Sequence, residues 1–303
     1  MSDNFKPLPS ESMSEILKYF YTHGTQNIPA LSYLQNSQQS IPKQKDLKSP
    51  LTKKWSPAFH FSIRQRLAKQ SKQKKQLIRA ISNGLTMPDI TTVPIGSAKK
   101  MVAAILFFDL ENFTAISSKL NNETVLYMLN IIIPEVMQII RHWHGEIEKN
   151  TGDGLMAIFG TETRNDFLIA RDAIEAAMSI RYIMLNDIHP KLVAENLQTI
   201  NFRVGIDMAE LLISRIGIKN TNFLTVVGDA ANRASELQSL AESNGICIGE
   251  KIYNNLHALL HQFCKEGKHQ DWRWYFPETK QPYRFFHYDA KWPEPKEWIK
   301  VKP

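Results

Sequence analysis

The sequence predicts an α+β protein on a ferredoxin-like βαββαβ plan, an antiparallel sheet backed by helices, with a helical N-terminal extension. Three observations predict it. Short apolar runs bounded by turn residues, AAILFF before Asp109 and LMAIF after Gly-Asp-Gly, have the length of buried strands rather than of helices. Amphipathic segments separate these runs in the order β-α-β-β-α-β, with additions at the end. Hydrophobic residues make up 43% of the 303, enough for a proper core and too many for a chain disordered throughout.

The elements follow in order, with residues 1–95 as extension and linker and 96–303 as the sheet domain. A short helix is expected over Glu11–Tyr21, with Ser10 as N-cap and Met13, Ile16, Leu17 and Phe20 on one face. The polar, proline-containing stretch Gln35–Pro57 reads as a loop or extended arm. From Phe59 to Leu85 the chain turns helical and basic: Ile63, Leu67, Leu77, Ile78 and Ile81 recur at helical spacing, and Arg64, Arg66, Lys69, Lys72, Lys74, Lys75 and Arg79 cover the rest. Such a helix can serve nucleic acid or anionic lipid, or it can be a solvated face packed on the core or on a second subunit. Base-reading motifs and flanking aromatics are missing, so the packing reading is preferred, and no stable nucleic-acid or membrane partner is expected. The helix should end near Gly84, and Met87–Gly96 links to the first strand.

That strand, MVAAILFFDL, precedes a helix from about Ala115 or Glu123 to His142. The hairpin GEIEKN/GLMAIF comes next, then a helix over about Asn165–Met184 that buries Leu168, Ala173, Ala176, Ala177 and Ile180. NFRVGIDMAELLISRIG reads as a strand, TNFLTVVGDAANRASELQSLAE as a short strand feeding a helix, and CIGEKIYNNL as another strand and helix. WRWYF and YRFFHY read as a closing aromatic hairpin.

Composition narrows the function classes. Cys247 and Cys264 give neither a disulfide framework nor metal-ligand spacing. No run of 18 apolar residues is present and the N-terminus lacks a signal-peptide pattern, so a cytoplasmic location is expected. The net charge of +7 suits a polyphosphate substrate, and equally weak contact with nucleic acid or membrane surface.

Asp109 closes one apolar run and Asp153 sits between two glycines before another. On neighbouring strands of one sheet the two would meet. Paired carboxylates with open coordination positions suit hard cations such as Mg²⁺ or Mn²⁺, and two such ions clamp a triphosphate and activate a hydroxyl. The plainer alternatives are a helix N-cap at Asp109 and a hairpin turn at Asp153.

Ala103–Tyr288 resembles the catalytic domain of class III nucleotidyl cyclases, the adenylate and guanylate cyclase family. FFDLENFTAIS resembles its metal-binding strand, EKNTGDGLMAIFG its hairpin, and FRVGIDMAELLISRIG and FLTVVGDAANRASEL its next two blocks, in order. The resemblance implies a homodimer with active sites at a head-to-tail interface. It implies that Asp109 and Asp153, with the carbonyl of Leu110, hold two Mg²⁺ or Mn²⁺ ions, and that backbone amides from Glu111 to Thr114, through Phe113, cradle phosphate oxygens. Lys149 matches the base-reading lysine and Asn232 the asparagine that orients the ribose in the transition state; both would act on substrate held by the partner's aspartates.

Three positions depart from the family. Phe223 stands where adenylate cyclases carry an acidic base reader. Glu236 replaces the transition-state arginine, for which neighbouring Arg233 is a substitute that points roughly 100° away on a helix. The phosphate-binding lysine is not in its usual place, and Lys280 is the nearest. These departures leave an inactive relative, a cyclase of altered geometry, or one with another base. With the aspartates, Lys149 and Asn232 kept, altered base choice is favoured. The overall form resembles the bacterial pyrimidine cyclases of Pycsar antiphage defence, which act through a separate effector that responds to the cyclic nucleotide. A bulky Phe223 would narrow the pocket toward a pyrimidine, and Lys149 can donate to uracil O4, which favours UTP over CTP.

Overall fold

The computed structural model describes residues 55–80, 98–160, 165–218 and 221–292. The helix expected over Glu11–Tyr21 and the end of the basic helix near Gly84 lie outside these residues.

The first described helix, α1, spans Pro57–Ala80, and β1 spans Ala98–Leu110. The short α2 (Phe113–Ser117) and the long α3 (Asn122–His142) follow, so of the two expected starts the one near Glu123 is right and the residues around Ala115 form a separate short helix. β2 (Gly145–Asn150) and β3 (Gly154–Phe159) form the hairpin. α4 (Asp166–Ile183) runs through a π-turn (Met184–Ile188) into α5 (His189–Ala194). Asn121 and Asn165 cap α3 and α4 with their side-chain oxygens. β4 (Phe202–Ile218), β5 (Thr221–Val227), α6 (Asp229–Leu240), β6 (Gly245–Gly249) and α7 (Glu250–Asn254) complete the central part. β7 (Cys264–Glu266) and β8 (Phe285–Tyr288) close the sheet.

The strand order is β2-β3-β1-β4-β6-β8-β7, with β5 paired to the far half of β4. The β2-β3-β1-β4 part is antiparallel throughout, as the ferredoxin-like plan requires. β4 and β6 pair in parallel, because α6 carries the chain back across the sheet between them, so the sheet is mixed. The closing aromatic hairpin differs from expectation. β8 pairs with β6 and β7, and residues 272–283 fold back with one isolated bridge, Tyr275↔Pro282. Pro277 and Pro282 cannot donate to a longer ladder.

Side chains alternate across the strands and fill two layers. Ala104, Leu106, Phe108 and Leu110 face α3 and α4 and belong to the main core. Ala103 and Ile105, with Met156, Ile158, Leu211 and Ile213, pack beneath Ala230 and Ala234 of α6. α3 is long and apolar enough to cross a membrane by length and composition, yet its Met128, Ile131, Ile132, Val136 and Ile139 are fully buried in this core.

The basic helix packs on the domain. Ile63 and Leu67 of α1 are buried, Arg66 donates to the buried Glu135 of α3 at 2.9 Å, and His60 and Arg64 both bind Asp187 of the π-turn, at 2.8 and 2.7 Å. Trp55, just before α1, stacks on Trp292 with ring centroids 5.2 Å apart.

Candidate active site

Asp109 lies within β1, paired with Gly154 on one side and Arg203 on the other. It is therefore no helix cap; Asn112 occupies the cap position of α2. The Leu110 N–H donates to the Asp153 carbonyl at 3.2 Å and pins the hairpin tip to the end of β1. Position 154 is tight: a Cβ there would lie 2.9 Å from Thr151 Oγ1 and 3.0 Å from both Asp109 Oδ1 and the Phe108 carbonyl. The two carboxylates sense each other. Burial, and then the charge of Asp153, push the Asp109 carboxyl from 3.8 up to about 6, against the opposing pull of Arg203.

This donor set fits a hard divalent cation. It offers two half-buried carboxylates that repel one another and an adjacent backbone carbonyl, all oxygen. Among the described residues no group of three or more His, Cys, Asp or Glu surrounds the pair, which leaves coordination positions for phosphate oxygens and water. Glu111 is committed elsewhere: Arg203 and Ser243 both donate to it, and the Ser243 hydroxyl, then Arg203, hold its carboxyl below the ordinary range.

A pH dependence follows. Asp109 binds its proton more tightly folded than unfolded, so its contribution to stability is full below pH 3.8 and is lost as pH rises through about 6. A cation competes for the deprotonated form. Mn²⁺ at a hundredfold excess over Kd is expected to raise Tm by about 5 °C at pH 7.5 and far less at pH 5. Thermal melts of the wild type and of Asp109→Asn, which should lose this pH-dependent increment, check it.

Lys149 reaches the face of Asp109 through a bulge. Strict alternation along GEIEKN would place Lys149 with Ile147, facing the main core. The register instead slips between Ile147↔Ala157 and Lys149↔Met156. Lys149 therefore shares a row with Met156 and Phe107, on the same face as Asp109 and one row away. Glu148 is the extra residue: burial raises its carboxyl against the pull of Lys149, and its buried Oε2 has no hydrogen-bond partner among the described residues.

The other expected residues fall in different places. Thr114 is exposed, whereas the Phe113 side chain is buried in the core, so that residue offers only its amide. The Glu111 amide is already donated to the Asn201 carbonyl at 2.8 Å. Asn232 is exposed on α6. Phe223 is 70% exposed and pairs with Ile216. β5 joins β4 opposite the start of β1, through Ala98↔Ser214 and Ser214↔Thr225, and Asp109 lies at the other end of β1.

Arg233 requires a correction. Expected at the substrate, its guanidinium is instead buried at 3% exposure, where its Nε donates to the fully buried Asp207. Burial is the largest influence on Arg233 and works against its charge, but Asp207, with Tyr283 and Asp229, outweighs it in sum and holds the guanidinium above its ordinary range. A buried arginine tied to an aspartate has no charge to lend a phosphate. Glu236, at the position of the family's arginine, accepts from Trp274 Nε1 at 2.7 Å. Lys280 is exposed in a turn. The Asp207–Arg233 pair was missed from sequence, although a lone acid within RVGIDMAEL needs a partner if that strand is buried.

Comparison with known proteins places this geometry. The adenylate and guanylate cyclase catalytic domain matches residues 96–270. A cytidylate cyclase of Staphylococcus aureus is 32% identical over 152 residues, covering 48% of this chain and 36% of that protein. A uridylate cyclase of Burkholderia cepacia is 31% identical over 163 residues, covering 52% of this chain and 68% of that protein. The chain thus spans about a third of the first relative and two thirds of the second. Among solved structures, the adenylyl cyclase CyaB from P. aeruginosa superposes with a TM-score of 0.56 at 22% identity, over 64% of this chain and 96% of that one.

Proposed function

The chain belongs to the adenylate and guanylate cyclase catalytic-domain family, and from that membership we propose that it is a pyrimidine nucleotide cyclase, forming cyclic UMP from UTP, or next cyclic CMP from CTP, with release of pyrophosphate. The observation that carries the cyclase reading is the meeting of Asp109 and Asp153 at the end of β1, where Leu110 N–H joins the two loops. Asp109, Asp153 and the Leu110 carbonyl would hold Mg²⁺ or Mn²⁺. Two such ions held there would supply charge that lowers the pKa of the ribose 3′-hydroxyl and neutralises the triphosphate. Asn232 orients the ribose for in-line attack on the α-phosphorus. Lys149 donates to the base.

The pyrimidine choice is supported by Phe223, which cannot accept a hydrogen bond from an exocyclic amine, and by similarity to a cytidylate and a uridylate cyclase. A homodimer is supported by two features. Phe223 and Asp109 belong to opposite ends of β1 in one protomer, so Phe223 serves a site other than that of its own Asp109. Leu212, Ile216, Phe223 and Val227 are 43–70% exposed on the β4–β5 ribbon, an apolar face that a second copy would cover. A role in antiphage defence, through a separate cyclic-nucleotide-responsive effector in the cytoplasm, completes the proposal.

Incubation of purified protein with each NTP and Mn²⁺, with products read by mass spectrometry, tests it. Cyclic UMP or cyclic CMP is expected as the dominant product, and dominant cyclic AMP would overturn the base choice. A second reading, a silent dimerisation module, is favoured by Glu236 at the arginine position and by the burial of Arg233. No cyclic product from any NTP would decide for it.

A further inference from the structure

Arg233 neighbours Asn232 on α6 but projects about 100° around the helix from it, into a buried cluster. Its Nε donates to Asp207 Oδ2. Its guanidinium lies over the Tyr283 ring at 4.4 Å and over Trp274 at 5.5 Å. The Tyr283 hydroxyl donates to the other oxygen, Asp207 Oδ1, at 2.6 Å and accepts from the Lys251 N–H of α7 at 2.9 Å. Trp274 reaches α6 a second time through Glu236, and the Tyr283 N–H donates to the Trp274 carbonyl at 2.8 Å. Both oxygens of a carboxylate with no exposure are thus occupied by donors from two elements. A guanidinium tied to a buried carboxylate through Nε and packed against two aromatic rings admits little rotation of the helix that bears it.

We propose that Asp207, Arg233 and Tyr283 form a positioning unit that fixes the rotation of α6 and thereby aims Asn232 at the reacting nucleotide. The inference rests on the role given to Asn232 above. Aim matters because displacement of a catalytic group by about 1 Å costs on the order of a hundredfold in rate. The residues after β7 then belong to the working site although they touch no substrate: residues 274 and 283 set α6 from its outer side.

The test is a double-mutant cycle with UTP and CTP, each with Mn²⁺. Arg233→Lys keeps a cation for Asp207 but loses the planar fork; Tyr283→Phe keeps the ring and loses one donor, and it carries the cycle if the lysine variant does not fold. Each is expected to lower kcat, by about a hundredfold for Arg233→Lys and about tenfold for Tyr283→Phe, with KM within about threefold of wild type. In an Asn232→Ala background the same changes should cost less than about twofold, since a group that is gone cannot be mis-aimed. Full additivity, or a loss confined to KM, would overturn the positioning role alone. An unimpaired Asn232→Ala enzyme would instead overturn the role of Asn232, and the inference with it.

Discussion

Replacing Asp109 by asparagine is expected to abolish cyclic-nucleotide formation, with turnover down by about a thousandfold or more, while the protein stays folded. Asparagine keeps the size and the strand position, so the backbone at 109 still pairs with Gly154 and with Arg203. What disappears is the negative charge that, with Asp153, would hold the cations, and these are worth several kcal/mol in the transition state. The change also removes the repulsion between the carboxylates, so the metal-free variant should melt at or above the wild-type temperature at pH 7.5. Loss of activity without loss of stability separates this outcome from a folding defect. Mixing extends the test. If Asn232 serves the substrate held by the partner's aspartates, equal amounts of Asp109→Asn and Asn232→Ala chains recover about a quarter of wild-type activity, since half the dimers are mixed and each of those has one intact site. No recovery from chains shown to exchange would remove the head-to-tail arrangement.

The second large effect is on stability. Gly205→Ala should destabilise the protein by about 3 kcal/mol or more and lower Tm by about 10 °C. Gly205 lies in β4 directly beneath α6, and a Cβ there would stand 2.1 Å from the Ala234 carbonyl oxygen and 2.2 Å from the Gln238 nitrogen. Both are helix backbone, which no rotamer change relieves. The helix must lift, and Ala230 and Ala234 leave the packing with Ile105 and Ile213. A urea or thermal melt within about 1 kcal/mol of wild type would show that α6 is not seated so closely. Because the lifted helix carries Asn232, the surviving folded fraction should also be slow.

Much of this was legible in the chain before any coordinates. Apolar runs of strand length fixed β1 and the hairpin, and helical spacing of apolar residues gave α3 and α4, with Asn165 standing at the expected start of the second. The two aspartates were readable because Asp109 follows one such run and Asp153 precedes the other, and strand ends of one sheet converge. The bulge at Glu148 was not readable: nothing in GEIEKN distinguishes an even strand from one with an extra residue, yet the difference decides which face Lys149 takes. Arg233 was misplaced because helical spacing gives direction around an axis but not what waits there. Asp207, 26 residues earlier, is brought beneath it only when α6 folds back over β4. The aromatic segment near the end was misjudged for a related reason. Its rings are spent on Arg233 and α6 rather than on a strand ladder.

The stacked indoles beside α1 give the molecule a built-in optical gauge. Trp55 stacks nearly parallel to Trp292, at 7° and 5.2 Å, and Trp292 to Trp143, at 11° and 6.3 Å. Chromophores this close couple excitonically wherever their transition dipoles are skewed, and the near-ultraviolet dichroism of the stack is expected to change when one of them leaves. Since Trp55 sits immediately ahead of α1, that signal reports whether the helix is docked, in unlabelled protein and on the timescale of mixing. Nucleotide, cation or a candidate activator can each be titrated against it.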